Sequence, residues 1–112
     1  MSWIGVDLDG TLAHYDGWVG FEHIGEPIPL MVNRVKEWLS QGQDVRIFTA
    51  RATLLWEDGC ETPYDTAIRP IEDWCERHLG QKLKVTCMKD MGCIQIWDDR
   101  AVRVEANTGR IV

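Results

Sequence analysis

The chain has 112 residues, 45% hydrophobic and 27% charged, which fits one globular domain able to bury a core without staples. Its formal charge of -6, from 12 basic and 18 acidic side chains, argues against general binding to nucleic acid or anionic membrane. No apolar stretch approaches the roughly 18 residues of a membrane span, and no basic-then-apolar leader opens the sequence, so the expectation is a cytoplasmic protein with no membrane partner.

Residues 3 to 7, WIGVD, read as a short buried strand, and the aspartates Asp7 and Asp9 follow with Gly10 and Thr11 behind them. Residues 10 to 29 are rich in Gly and Pro and predict an irregular excursion, with a small hairpin around Asp16-Gly17. Residues 29 to 41 place Met31, Val35, Trp38 and Leu39 on one helical face, with Pro29 suited to the first turn and Gly42 to the stop. DVRIFTAR, residues 44 to 51, is a second strand with a polar end. A second helix runs from about Thr62-Pro63 to Leu79, with Gly80 ending it and a break near Arg69, because Pro70 lies inside the pattern. Residues 83 to 87 predict a third strand and residues 94 to 97 a fourth, the latter followed at once by Asp98, Asp99 and Arg100. The tail, residues 101 to 112, alternates around a Thr-Gly turn and predicts a terminal hairpin.

The four cysteines form no C-x-x-C pair, so free thiols are expected, with Cys75, Cys87 and Cys93 read as small core residues. Trp38 and Trp74 lie on helical patterns and read as core, whereas Trp18 and Trp56 fall in loops.

The alternation of strands and helices predicts an α/β fold with a mostly parallel, Rossmann-like sheet flanked by helices. Ligands in such sheets bind beyond the carboxyl ends of the strands. Those ends carry Asp7 and Asp9, then Thr49 and Arg51, then Asp98, Asp99 and Arg100. Parallel neighbours would bring these groups to one spot. Converging carboxylates need a cation or a shared proton, and oxygen donors without His or Cys point to Mg²⁺. A calcium loop starting at Asp7 fails, since Thr11, Leu12 and Trp18 stand where it needs Asp or Asn, Gly and Glu.

DLDGTL, residues 7 to 12, resembles the first motif of the haloacid dehalogenase (HAD) superfamily. VRIFTAR resembles the second, Lys89 the third-motif lysine, and IWDDR the fourth. The resemblance implies a HAD-like fold and a Mg²⁺-dependent phosphomonoester hydrolase acting on a small phosphorylated metabolite or nucleotide. Asp7 would be the nucleophile that forms an aspartyl-phosphate, and Asp9 the acid and then the base. Thr49, donating to a phosphoryl oxygen, and Lys89, neutralising the charge on Asp7 and the phosphate, would complete the catalytic set, while Asp7, Asp9 through its backbone carbonyl, Asp98 and Asp99 would hold Mg²⁺. Gly10, Thr11 and Arg51 are the candidate substrate contacts, although Arg51 is read equally as a salt-bridge partner, and Arg100 chiefly as one. The family's cap domain has no room in residues 13 to 28 or 52 to 62, so an open site is expected, with at most a flap bearing His14, Trp18 and Phe21.

The run TAR…IEDWCERHLG…DDR is also similar to the phosphatase half of polynucleotide kinase/phosphatase enzymes and to small capless HAD proteins. That keeps a nucleic-acid 3'-phosphatase, and a non-catalytic phosphate-binding domain, as alternatives. One departure stands out: six residues separate Cys87 from Ile94. A parallel crossover usually takes about a dozen.

Overall fold

The computed structural model describes residues 2–112. Four strands, β1 (Trp3–Val6), β2 (Asp44–Phe48), β3 (Val85–Thr86) and β4 (Cys93–Trp97), form one sheet in the order β3-β2-β1-β4, and every pairing is parallel. Helices α1 (Pro29–Ser40) and α2 (Arg69–Leu79) provide the first two crossovers. The fold is therefore α/β and Rossmann-like, as the alternation predicts. No helix among the described residues is long and apolar enough to cross a membrane.

All four residues of β1 are buried, which suits a strand with a neighbour on each side. Strand residues alternate between the two faces of the sheet. Ile4, Val6, Val45 and Ile47 join Met31, Val32 and Val35 of α1 and Ile71, Trp74, Cys75 and Leu79 of α2 in one core. Both helices thus pack on the same side. Trp38 is half-buried at its margin, tilted against Trp97 at 5.1 Å.

Two features of α2 follow from its prolines and glycines. Pro70 has no N–H to give to the carbonyl one turn back. The preceding turn, Tyr64–Ile68, widens into a π-helix, closed by the Arg69 N–H on the Tyr64 carbonyl. This is the expected break. Gly80 then ends the helix in the left-handed region, φ +85°, with its N–H on the Glu76 carbonyl.

Neither α1 nor α2 covers the opposite face of the sheet. That face is crossed by residues 87–92, the whole connection from β3 to β4. Three strand spacings are about 14 Å. The descent from the level of Phe48 to that of Trp3 adds four residue rises, about 13 Å. The diagonal is about 19 Å, and seven peptide steps reach about 23 Å when fully extended. The link must therefore run almost straight. Asp90 fixes it midway: the Trp3 indole N–H donates to Oδ1 at 2.7 Å, and Arg46 lies 3.7 Å from Oδ2. The Trp3 and Gly92 N–H donors, with Arg46 nearby, hold the Asp90 carboxyl below the usual carboxylate range. Trp3 itself is 1% exposed, beneath the Arg46 guanidinium at 4.7 Å.

Some local expectations need correction. The turn at Asp16-Gly17 is a bend without paired strands, and the excursion is closed lower down by an antiparallel bridge between Ala13 and Pro27. The Trp74 indole N–H reaches the Gly25 carbonyl at 3.0 Å and ties the excursion to α2. The tail makes the expected antiparallel pairing, Val104 bridged to Ile111, and its turn runs from Ala106 through Thr108-Gly109, with Asn107 at φ +66° and Gly109 at φ +81°. All four cysteines are free, but Cys75 alone is buried, and burial pushes its thiol up to about 12. Cys93 is half-buried on an edge strand, and Cys87 lies at a cavity.

Candidate active site

The strand ends converge as the parallel arrangement predicts. A cavity of about 560 Å³ opens beyond them, and Asp7, Asp9, Thr49, Arg51, Asp98 and Arg100 all line it. The Asp7 N–H bonds the Trp97 carbonyl at 2.9 Å, so the last ladder bond between β1 and β4 sets Asp7 beside Asp98. Carboxylate oxygens of Asp7, Asp98 and Asp99 lie within 4.8 Å of one another. Burial, then the charge of Asp98, then contact with Asp99 push the Asp7 carboxyl up to about 7.

Gly10 and Thr11 do not line the cavity; they join the two acid-bearing loops. Gly10 has φ +92°, and a Cβ there would stand 2.6 Å from an Asp99 carboxylate oxygen. Glycine is the residue that permits both the turn and the approach. Thr11 Oγ1 accepts from the Asp99 N–H at 3.0 Å and lies 3.2 Å from Asp99 Oδ1. It positions the Asp99 carboxylate.

Asp9 stands apart from the other three acids. Arg51 takes both of its oxygens, Nε on Oδ2 at 2.7 Å and Nη2 on Oδ1 at 2.9 Å. The same guanidinium donates to the carbonyls of Phe21 and His23, each at 2.9 Å, and lies 4.9 Å from the Trp18 ring centroid. Its side chain is 5% exposed. Of the two readings of Arg51, the salt bridge is the one present, and it also fastens the excursion to the strand ends.

Thr49 is buried at the start of the 3-10 turn Ala50–Trp56, where its hydroxyl accepts from the Arg51 N–H at 3.2 Å and keeps its own proton to donate. Lys89 is not brought to this place. It is exposed on the extended link and does not line the cavity. Arg100 does line it, and no carboxylate of the described residues lies within 4 Å of its guanidinium. The Arg100 backbone N–H caps Asp98 at 2.7 Å. The reading of Arg100 as a salt-bridge residue therefore gives way to a cation that faces the cavity.

Sequence reasoning missed the aromatic lining: Tyr15 and Phe48 join Trp18 and Phe21 there. Phe48 directly precedes Thr49, so its place at a strand end was a usable signal; Tyr15 offered none. Trp56 is 70% exposed and lies outside the cavity, and His14 pairs with Asp16 at 2.9 Å on the surface.

The arrangement can bind an anion only with help, since its centre holds three carboxylates. Its donors are all oxygens, its Asp7 carboxyl is pushed up to about 7 by burial and by Asp98, and the buried cation Arg51 is engaged with Asp9. That donor set fits a small hard divalent cation. Comparison of the chain with family models, with curated proteins and with solved structures finds no match in any of the three.

Proposed function

We propose that this chain is a HAD-type phosphatase, a phosphomonoester hydrolase that works through an aspartyl-phosphate on Asp7. The observation that carries the reading is the meeting of Asp7, Asp98 and Asp99 at the carboxyl end of the sheet, with Thr49 lining the same cavity as Asp7 and Asp98. The resemblance of DLDGTL, VRIFTAR and IWDDR to HAD motifs supports it on independent grounds.

Asp7, Asp98 and Asp99 would hold Mg²⁺, with the Asp9 carbonyl as a further donor; the ion, when bound, supplies charge neutralisation for phosphoryl transfer. Asp7 Oδ attacks phosphorus, the P–O bond to the alcohol breaks, and the alcohol oxygen takes a proton. Water then attacks the aspartyl-phosphate, gives up a proton, and returns Asp7 as a carboxylate with inorganic phosphate. Asp9 carries that proton both ways. It must first turn away from Arg51, whose donors occupy both its oxygens. Arg51 thus acts as the rest position of the proton carrier and orients it between turnovers. Thr49 donates its hydroxyl to a phosphoryl oxygen. Arg100 takes the charge-neutralising task that the motif resemblance gives to Lys89, because Arg100 faces the cavity and Lys89 does not.

The test is release of inorganic phosphate from a panel of phosphomonoesters, including nucleotides and a 3'-phosphorylated oligonucleotide. Release that needs Mg²⁺, stops with EDTA and is lost in Asp7→Asn supports the proposal. A folded protein that releases none from any substrate refutes it.

A further inference from the structure

The chemistry proposed above uses the polar side chains of the cavity. The same cavity is also lined by the aromatic rings of Tyr15, Trp18, Phe21 and Phe48. Phe21 packs on the small core of Ala52, Ala67 and Ile68, but Trp18 and Tyr15 belong to neither core cluster. Trp18 is 52% exposed and Tyr15 37%. Large rings left in water forgo the stabilisation of burial, so their place in a cavity points to a ligand that covers them.

Trp18 is nevertheless held in place. Its ring meets Phe21 edge to face at 4.9 Å, and one side faces the Arg51 guanidinium at 4.9 Å. That guanidinium is the one bound to Asp9 at 2.7 and 2.9 Å. The ring therefore lies one guanidinium away from Asp9. A phosphoryl group at Asp7 and a flat ring against Trp18 fall within one cavity of about 560 Å³. Polyol substrates need many hydrogen-bond partners on the alcohol side. This wall is mostly ring carbon, and the Thr53 hydroxyl proton beside it is already given to the Ala50 carbonyl at 2.7 Å.

We infer that the wall of Tyr15, Trp18 and Phe21 binds a planar ring on the alcohol side of the ester, so the substrate is a ring-bearing phosphomonoester, either nucleoside or aryl. The inference rests on the phosphatase reading for the phosphate end. Stacking on a tryptophan strengthens binding about tenfold or more.

The test is titration calorimetry with Mg²⁺ on Asp7→Asn, which cannot form the intermediate. The ligands are adenosine 5'-monophosphate, 4-nitrophenyl phosphate, ribose 5-phosphate and glycerol 3-phosphate. The expected result is ring-bearing ligands at least about tenfold tighter than ring-free ones. Trp18→Ala should bring that ratio to within about threefold of unity, and Trp18→Phe should keep most of it. Tighter binding of the adenosine ligand than of the nitrophenyl one assigns the nucleoside class, and the reverse order the aryl class. Equal affinity for ring-bearing and ring-free ligands overturns the inference, as does a uniform weakening by Trp18→Ala. Phosphate release by the unsubstituted protein from the same four compounds separates the two readings. Release without ring preference refutes the wall alone; ring-selective binding without release refutes the phosphatase alone; neither binding nor release refutes both.

Discussion

Replacing Arg51 by alanine should be among the most damaging single changes in this protein. The guanidinium is 5% exposed, its partner Asp9 19%, and it makes two bonds to that carboxylate and two to backbone carbonyls. Removing one member of a buried ion pair costs about 3–5 kcal/mol, because the other charge is left without compensation. The partial exposure of Asp9 lets water recover some of that. Loss of donors to Phe21 and His23 adds a smaller amount, since carbonyls on a loop find water. The net expectation is about 3–4 kcal/mol. At this chain length that lowers Tm by about 12–16 °C. Arg51→Lys should recover less than half, because one ammonium cannot serve two carboxylate oxygens and two carbonyls at once. Arg51→Ala combined with Asp9→Ala should be less damaging than the sum of the two, since the orphaned charge is gone. Thermal melts followed by circular dichroism measure all three. A fall in Tm below about 3 °C for Arg51→Ala, or strict additivity in the double variant, would refute the argument that this pair holds the excursion to the sheet.

Gly10→Ala should cost about 1–2 kcal/mol from the left-handed backbone alone, and push Asp99 aside, so Mg²⁺-dependent phosphate release should fall with it. Asp7 gives a pH dependence: its carboxyl rises from 3.8 in the unfolded chain to about 7 in the metal-free fold. The folded state then binds more protons between those values, so stability falls as pH rises from about 4 through 7. After allowance for solvent screening the loss is about 1–2 kcal/mol. Asp7→Asn should flatten this slope in melts run in EDTA, and an unchanged slope would reject it. Lys89→Ala should leave kcat/KM within about twofold, whereas Arg100→Ala should raise KM about tenfold; the opposite ranking would restore Lys89 as the cation of the site.

The elements that the sequence disclosed best are those whose signals are local. Pro29 and Gly42 bracket α1, Pro70 places the widened turn, and Gly80 stops α2, each within one residue of expectation. The convergence of Asp7, Thr49 and Asp98 followed from parallel pairing alone, because strand ends in register must meet. What was not legible depends on where loops travel. Cys93 and Cys87 lie close to apolar residues such as Val85, Met88 and Ile94 in the sequence, yet an edge strand and a strand end leave them half-covered. The choice between phosphate and carboxylate as the partner of Arg51 required the path of residues 13 to 28, which brings the Phe21 and His23 carbonyls to the same guanidinium.

The misplaced lysine and the missing helix have one cause. The chain leaves β3 at the far edge of the sheet and must enter β4 at the other edge, at the opposite end of the strands. With six residues it has about 23 Å of reach for a path of about 19 Å. A helix would shorten the reach to about 1.5 Å per residue and could not close the gap. An extended link, in turn, descends the open face at once, so it cannot linger at the carboxyl ends where a lysine would meet a phosphate. Lys89 therefore goes to the surface, and Asp90 takes the next position to fasten the link to Trp3 and Arg46. Among the described residues that line the cavity, Arg51 is paired with Asp9, and Arg100, two residues beyond Asp98 on the same turn, is the cation left to face the carboxylates. Lengthening the link by six or more residues would relax the constraint. The segment would then be free to coil, Asp90 would lose its hold on Trp3, and the face it crosses would be exposed, which an accelerated hydrogen exchange of the Trp3 and Cys93 amides would report.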